Sequence, residues 1–186
     1  MITNGTPNGR LPLPARETVV VVPMDGAPAG EIVQLVVELQ HEGVHATLGE
    51  PVALPESAYD RARAQYRGER LLACARDLDG PRVLGVTARD FYTEGRSFSF
   101  GIAESPGRAA VISLFRLRSG PDQTAFNART LKEAVHQLGR TLGLAECADP
   151  RCVMHCSSSL AELDRKTNRL CDLCLLQSSR FVRTGH

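Results

Sequence analysis

The hydrophobic and polar residues near the start of the chain alternate in a way that predicts a strand, a helix and a second strand. Residues 18–22 form a β-branched apolar run ended by Pro23, as expected of a strand buried on both faces. Val44, Ala46 and Leu48 alternate with polar neighbours and predict another strand, so this region predicts a βαβ unit. The residues between them recur at helical spacing and end at a glycine: Ile32, Leu35, Val36, Leu39 and then Gly43.

The middle of the chain predicts one long helix followed by three strands. Residues 57–78 have the pattern of an amphipathic helix, and Cys74 within it is most simply a small buried hydrophobic residue. Residues 82–87 predict one strand, while residues 98–103 and 109–117 predict two more, joined by a turn at residues 104–108. The buried side of the helix would be supplied by Ala62, Tyr66, Leu71, Leu72 and Ala75.

A central helix is predicted over residues 131–142. Thr130 and Glu133 fit a capping box, which places the helix start at Leu131, and Gly143 is placed to end it. Its buried stripe consists of Leu131, Val135, Leu138 and Leu142. A second capping box predicts a short helix after Ser159, with Glu162 as its acidic member, and the residues after Leu176 are expected to be frayed.

Composition favours one compact domain and excludes several classes of protein. The chain has 186 residues, 42% of them hydrophobic, which suffices for one sizeable core. A net charge of +1 with interspersed signs argues against nucleic-acid binding. Neither a signal peptide nor an apolar run of membrane-spanning length occurs, so we expect a cytoplasmic monomer without a membrane partner. Residues 1–16, rich in Gly, Pro and Asn, predict a disordered tail before a single domain at residues 17–186.

Four cysteines have a spacing close to that of a zinc ribbon. Cys147 and Cys152 form one pair, and Cys171 and Cys174 form the other after an 18-residue spacer. Four thiolates complete a tetrahedral zinc site with no open position, so the pattern predicts one structural zinc. Reduced free thiols or an adventitious disulfide are the alternatives. Cys156 could replace Cys152 as a ligand but is interpreted as a bystander.

The predicted central helix contains an incomplete zinc-peptidase motif. In the motif H-E-x-x-H-x-x-G-x-x-H, two histidines on one helix face and a third after a glycine turn hold zinc, and the glutamate polarises a water molecule. Only the first histidine is present here, although the glycine is kept. The corresponding residues are His136, Gln137, Arg140, Gly143 and Glu146. His41 and His45 match H-E-x-x-H literally, but Gly43 between them argues against a continuous zinc-binding helix.

This motif and these cysteines resemble those of the archaemetzincins, a family of metzincin zinc peptidases. Four upstream segments resemble that family in the same order: SAYDRARAQY, VLGVTARDFY, FSFGIA and AVISLFRLR. The resemblance covers roughly residues 18–176. The resemblance implies an α/β fold with a mixed twisted sheet and an active-site helix, followed by a small zinc-bound module. An N-terminal α/β subdomain would comprise residues 17–143, and residues 144–176 would form the module, with Met154 as the Met-turn beneath the metal. The hairpin would include the edge strand along which a peptide pairs.

Carried over residue by residue, the resemblance makes His136 the first zinc ligand, Gln137 the general base, Arg140 the second ligand and Glu146 the third. Gln137 cannot take up a proton, and the charge of Arg140 would repel a cation. His155 is a further donor that could complete a metal site with His136 and Glu146. We hypothesise instead that Arg140 occupies the zinc position and pairs with Glu146, while Gln137 and His136 hydrogen-bond around it.

These substitutions argue against a second, catalytic zinc and predict a pseudo-peptidase that keeps the structural zinc. Its partner would be a peptide or protein in the former active-site cleft. An active zinc peptidase with an unusual ligand set is one alternative, and a zinc-ribbon interaction module on the same scaffold is another.

Overall fold

The computed structural model describes residues 9–14 and 17–183, with the backbone alone described for residues 179–183. The strands are β1 Val19–Met24, β2 Ala46–Leu48, β3 Tyr59–Asp60, β4 Gln65–Arg67, β5 Arg82–Thr87, β6 Phe91–Tyr92, β7 Gly101–Ala103 and β8 Ala109–Ser113. The helices are α1 Ala29–His41, α2 Gly68–Asp77, α3 Gln123–Thr141, α4 Leu160–Arg165 and α5 Asp172–Arg183. Within the described part of the chain, no helix is long and apolar enough to span a membrane.

A five-stranded mixed sheet in the order β2-β1-β5-β8-β7 forms the centre of the molecule. The first four strands of that order are parallel, and β7 pairs antiparallel with β8 at the edge. Every residue of β5 and β8 is buried, because helices cover both faces of these strands. One face packs against α1, α3 and the C-terminal module, while the other packs against α2. The predicted α/β fold with a mixed sheet is therefore confirmed.

The βαβ unit and the third predicted strand are present, with one change at Pro23. β1 continues through Pro23 to Met24, and the Pro23 carbonyl accepts a hydrogen bond from the N–H of Val52 at 2.9 Å. The two strands of the predicted hairpin are also present but shorter than expected. Gly43 adopts a positive φ of 85° two residues after α1, as expected of a glycine that ends a helix.

The prediction of one long helix over residues 57–78 is wrong. A three-residue 3-10 turn and the two short strands β3 and β4 precede α2, which begins only at Gly68. The Asp60 carboxylate accepts hydrogen bonds from the N–H groups of Ala62 and Arg63, at 3.1 and 3.3 Å. Ala64 then adopts a positive φ of 53°, so the backbone turns back at the point where the helix was expected.

The predicted start of the central helix is also wrong. α3 begins at Gln123, because the Asp122 side chain accepts hydrogen bonds from the N–H groups of Thr124 and Ala125. Thr130 lies inside the helix, and its hydroxyl donates to the Phe126 carbonyl one turn earlier at 2.9 Å. The C-terminal end agrees with the prediction, because Gly143 has a positive φ of 88°.

Both ends of the described chain are more ordered than expected. Leu11 is only 7% exposed, and the Gly9 carbonyl accepts a hydrogen bond from the N–H of Leu170 at 2.7 Å. The expectation of a disordered tail is therefore not met by residues 9–14, whereas residues 1–8, 15 and 16 lie outside the described residues. At the other end, the backbone of α5 continues past Leu176 to Arg183, contrary to the expected fraying, and residues 184–186 lie outside the description.

Candidate active-site cleft and cysteine cluster

A cleft with a volume of about 200 Å³ lies between α3 and the edge strand β7. Apolar residues on the opposite side of α3, including Ala134 and Leu138, are fully buried against the core and hold the helix in place. The cleft is lined by the helix residues Glu133, His136, Gln137 and Arg140, the strand residues Phe100, Gly101, Ile102 and Ala103, and the loop residues Thr93, Arg96, Ser99, Glu146, Cys156 and Ser157. Of the five motif positions, the four other than Gly143 therefore line one cavity.

His136 is held in one orientation by a backbone carbonyl. Its Nδ1 lies 2.9 Å from the carbonyl oxygen of Val153, so Nδ1 carries the proton and donates it. Burial lowers the pKa of His136, and the positive charges of Lys166 and Arg140 lower it further, against an opposing effect of Glu133. The ring is therefore neutral near pH 7, and Nε2 carries a lone pair. His136 lines the cleft, so Nε2 is the ring nitrogen left for a group bound there.

Gln137 is bound to a buried carboxylate on its own helix. Its Nε2 donates to Glu133 Oε1 at 2.7 Å, and both residues are almost fully buried. Gly101 of β7 faces this pair so closely that a Cβ atom there would lie 2.6 Å from Gln137 Nε2 and from Glu133 Oε1. The amide therefore has a structural partner, and the edge strand approaches the motif because residue 101 has no side chain.

The hypothesised pair between Arg140 and Glu146 is wrong. Arg140 Nη1 donates instead to the Leu144 carbonyl at 2.5 Å, just beyond the Gly143 turn. Glu146 is exposed, and no carboxylate oxygen of the described residues lies within ion-pair distance of Arg140. His136 and Gln137 likewise bond elsewhere. The guanidinium reaches a free carbonyl at the helix end, where backbone acceptors lack helical partners.

Met154 is fully buried beneath α3. Its sulfur packs against Gly139, which lies between His136 and Arg140 in the helix. The next residue, His155, does not line the cleft, and its Nδ1 lies 2.8 Å from the Cys147 carbonyl. The suggestion that His155 could complete a metal site in the cleft is therefore wrong.

The sequence did not point to two functional candidates at or near the cleft, Lys166 and Glu133. Lys166 is 2% exposed, and its Nζ donates to the carbonyls of Val153 and His155 at 3.2 and 2.8 Å. Burial lowers the pKa of Lys166, while the nearby charge of Glu133 opposes this shift. Glu133 itself was assigned to a helix cap rather than to the cleft. Its position one turn before Gln137 was the available signal, because residues four apart share a helix face.

Arg96 and Cys156 both line the cleft and are in contact with each other. Arg96 comes from the loop before β7, and its Nη2 donates to Cys156 Sγ at 3.4 Å. Cys156 lies in the segment between Cys152 and Cys171, and it was interpreted as a bystander. It lies outside the cluster formed by the other cysteines of the module but inside the cleft.

The four cysteines with zinc-ribbon spacing converge at the end of α3. The Sγ atoms of Cys147, Cys152, Cys171 and Cys174 all lie within 4.8 Å of one another, and two of them are 3.7 Å apart. A tetrahedron with Zn–S bonds of about 2.3 Å has S–S edges of roughly 3.8 Å. The donor set and the spacing therefore fit a zinc ion, and this cluster could hold one.

The thiols of this cluster are not joined as disulfides, since all six cysteines of the chain are free. Burial raises the pKa of Cys152 to about 11 and also raises that of Cys174. A bound cation would reverse this effect, because it stabilises thiolates. The N–H of Cys171 donates to Cys152 Sγ at 3.3 Å, a bond that would support a thiolate ligand.

The literal H-E-x-x-H sequence lies away from this cleft. α1 ends at His41, so His45 is not on the same helix and its Nδ1 lies 2.9 Å from the Thr18 hydroxyl. Glu42 pairs with Arg169 and Arg10. Over residues 9–14 and 17–183, the cysteine cluster is the one convergent set of three or more His, Cys, Asp or Glu ligands.

Comparison with known proteins agrees with this geometry. The model of peptidase family M54 matches residues 50–180. The chain is 45% identical to the archaemetzincin of Methanopyrus kandleri over 134 residues, which cover 71% of this chain and 76% of that protein. The crystal structure of the Methanopyrus kandleri archaemetzincin is similar with a TM-score of 0.83 at 35% identity, over 93% of this chain and 99% of that one.

A crystal structure described as a zinc-dependent peptidase from Methanocorpusculum labreanum is similar with a TM-score of 0.75 at 26% identity, over 86% of this chain and 99% of that chain. The mixed sheet, the motif-bearing helix beside its edge strand and the adjoining cysteine cluster thus define the fold class of a zinc peptidase. The chain belongs to the archaemetzincins, peptidase family M54. The resemblance and the fold expected from the sequence are confirmed.

Proposed function

We propose that this protein is a degenerate archaemetzincin, which keeps the scaffold and a structural zinc and binds a peptide segment without hydrolysing it. The observation that carries the proposal is the side chain of Arg140, a guanidinium in the cleft at the motif position of the second histidine. A fixed positive charge there repels a metal ion, and an arginine offers no lone pair to bind one.

The position of the general base supports the same function. A positioned base typically contributes a factor of about 10² to 10⁴ to the rate, and an amide cannot accept the proton. The Gln137 amide is also engaged as a donor to Glu133, so the neighbouring carboxylate is held by a side-chain hydrogen bond. The cleft of this protein therefore binds a peptide without catalysing its hydrolysis.

We infer that the cysteine cluster holds the one zinc ion of the protein. Four thiolates leave no coordination position for water or substrate, so this ion would order the segment between α3 and α5. Cys147 and Cys152 follow α3, whereas Cys171 and Cys174 flank the start of α5. The ion would thus connect the motif-bearing helix to the last helix of the chain.

Met154 would serve as the Met-turn of this family in the absence of the metal. Its complete burial and its contact with Gly139 support this role. The methionine then supports the helix itself, although an arginine stands at the motif position of the second histidine.

The edge strand is suited to bind an extended peptide. Hydrogen bonds from Ser113 N–H to the Phe100 carbonyl and from Glu104 N–H to the Ala109 carbonyl join β7 to β8. In an antiparallel ladder these bonds alternate, so the backbone of Gly101 and Ala103 points away from β8. Gly101 also lines the cleft beside Gln137. The Ser99 hydroxyl donates to the Gly101 carbonyl at 2.7 Å, and a carbonyl can accept a second bond. A peptide that pairs with these two residues would share that carbonyl with Ser99 and lie across the former motif.

The test is the zinc content per chain, measured by mass spectrometry on the folded protein, together with an assay of peptide hydrolysis. We expect one zinc in the parent, none in a Cys171→Ser, Cys174→Ser variant, and no hydrolysis. Two zincs per chain, with hydrolysis that a chelator abolishes, would contradict the proposal and favour an active peptidase. One zinc without peptide binding in the cleft would favour a zinc-ribbon interaction module.

A further inference from the structure

We propose that the cleft recognises a carboxylate group of an extended peptide through Arg140 and Arg96. The inference rests on the proposed function, since it assigns a ligand class to the same non-hydrolytic cleft. A cavity of about 200 Å³ is smaller than the roughly 300–1,000 Å³ of pockets for drug-sized ligands. It suits one carboxylate-bearing end or side chain rather than a large ligand.

Arg140 has donor groups left over for a ligand. An arginine has five N–H donors, and the structure gives Arg140 one hydrogen bond, from Nη1 to the Leu144 carbonyl. Arg140 lines the cleft, so its other N–H groups are available to a ligand there. That hydrogen bond anchors the guanidinium at the helix end, which reduces the ordering cost of binding an anion.

Arg96 supplies the second positive charge from the opposite wall. Its hydrogen bond goes to the Cys156 sulfur rather than to a carboxylate, although Glu146 lines the same cleft. Nine other arginines of the described chain form ion pairs within 4.0 Å, whereas Arg96 and Arg140 form none. Two guanidinium groups that line one cavity with no carboxylate within ion-pair distance are suited to bind one from outside.

The acidic residues of the cleft do not cancel this charge. Glu133 is buried, accepts the Gln137 amide and lies close enough to Lys166 to act on its pKa. The charge of Glu133 is therefore compensated by the nearby Lys166. Glu146 is exposed, and the pKa of Arg96 is raised more by the Cys156 sulfur than by the charge of Glu146, which forms no ion pair with Arg96. The cavity thus has an excess of positive charge between Arg96 and Arg140.

His136 contributes an acceptor beside these donors. Because Nδ1 donates to Val153, the accessible Nε2 can accept an N–H group but cannot bind an anion while it is neutral. Arginines would hold the carboxylate, and His136 could accept a peptide N–H next to it. The edge strand β7 would then pair with the rest of the peptide backbone.

The test is calorimetric titration with three peptides: N-acetyl-tetraalanine as the free acid, the same peptide as the amide, and N-acetyl-trialanyl-glutamate amide. The second lacks a carboxylate, while the first and third carry it at the C-terminus or on a side chain. We expect at least one acidic peptide to bind about tenfold or more tightly than the neutral amide, because charge-assisted bonds are the strong ones. The order of the two acids identifies the source of the carboxylate.

The variants are Arg140→Ala, Arg140→Lys and Arg96→Ala, with Arg70→Ala as the matched control. Arg70 is exposed on α2 and lies outside the cleft. Arg140→Ala should abolish the preference, Arg140→Lys should keep part of it, and Arg70→Ala should leave it unchanged. Arg96 is exposed, so Arg96→Ala should fold normally and weaken acid binding even if Arg140→Ala is unstable.

Equal affinity for the acids and the amide, no detectable binding of the acids, or a preference that survives both Arg140→Ala and Arg96→Ala would overturn the inference. Those results would leave the proposed function in place if the protein holds one zinc and cuts none of the peptides. Hydrolysis of any probe peptide would instead contradict the proposed function itself.

Discussion

The sulfur of Met154 lies against Gly139 so closely that a methyl group at residue 139 would overlap it. Met154 is fully buried, and a side-chain atom of Leu11 lies 3.5 Å from the same point. A glycine in the interior of a helix costs up to about 1 kcal/mol relative to alanine. Here it allows the methionine to approach α3 between the two motif positions 136 and 140.

We predict that Gly139→Ala destabilises the protein. Overpacking a closed core typically costs about 1–3 kcal/mol, which exceeds or offsets the gain in helix propensity. Gly30→Ala is the matched control, since Gly30 also lies in a helix and has nothing within 4 Å of an added Cβ. We expect that variant to be as stable as the parent or more stable, by up to about 1 kcal/mol. Denaturant unfolding measures both, and a stabilising Gly139→Ala would show that Met154 moves freely.

Restoring the motif should restore a second metal site. In Gln137→Glu, Arg140→His, Glu146→His, the repelling charge is gone, and His136 already lines the cleft with its Nδ1 held by the Val153 carbonyl. We expect the zinc content to rise from one to two per chain, with peptide hydrolysis appearing above the parent's background. The single variant Gln137→Glu is the control and should remain at one zinc, because Arg140 stays. A triple variant that folds with one zinc would show that the cleft has lost more than its ligands.

Cys152 and Cys156 should differ sharply when each is replaced by serine. Cys152→Ser should remove zinc and disorder the module, because metal binding and folding are coupled by an energy on the order of 10 kcal/mol. Cys156→Ser should keep the zinc, since its sulfur lies outside the cluster. Zinc analysis and thermal unfolding of both variants measure this. Zinc loss in Cys156→Ser with retention in Cys152→Ser would reverse the ligand assignment.

The ion pair between Arg129 of α3 and Asp164 of α4 should make stability depend on pH in the acid range. Two hydrogen bonds of 2.7 Å from Arg129 lower the pKa of Asp164. Because the pKa of Asp164 is lower in the folded protein than its ordinary value of 3.8, the ion pair stabilises the fold fully at pH values above 3.8. This stabilisation is lost as the pH falls through the lowered pKa of the folded protein.

Asp164→Asn should therefore cost about 0.5–1 kcal/mol at pH 7, since Asp164 is partly exposed, and nearly nothing once the carboxylate of the parent is protonated. Asp79→Asn, at an exposed residue outside the ion pairs of the described chain, should have no such effect. Denaturant unfolding of both variants and of the parent across the acid range measures this. A cost that does not change with pH would mean that Asp164 acts through packing rather than charge.

The elements that could be predicted from sequence are those whose signals are local. β5 was predicted with its observed bounds. All six of its residues are buried, and apart from Arg82 and Gly85 they are apolar residues or threonine, so the strand signal lies within the segment itself. The long helix over residues 57–78 failed because Tyr66 belongs to a strand that pairs with Phe91. That pairing joins distant parts of the chain, and periodicity within one segment contains no information about it.

The same distinction holds for the candidate site. The four clustered cysteines could be found because zinc ligands come in short spacings that the sequence displays. The motif positions on α3 could be found for the same reason. Arg96 could not, because only the loop before β7 brings it to Cys156. Glu133 was interpreted only as part of a capping box, and the earlier start of α3 places it inside the helix, where it lines the cleft.

The hydrogen bond between Gly9 and Leu170 has a consequence for the biosynthesis of the protein. Its two partners are separated by nearly the whole length of the chain, and Leu170 directly precedes Cys171. During translation, the segment with Gly9 leaves the ribosome long before the second cysteine pair has been made. The four cysteines can therefore converge only after Cys174 has emerged, so a zinc ion held by all four thiolates would be bound after α3 has been made.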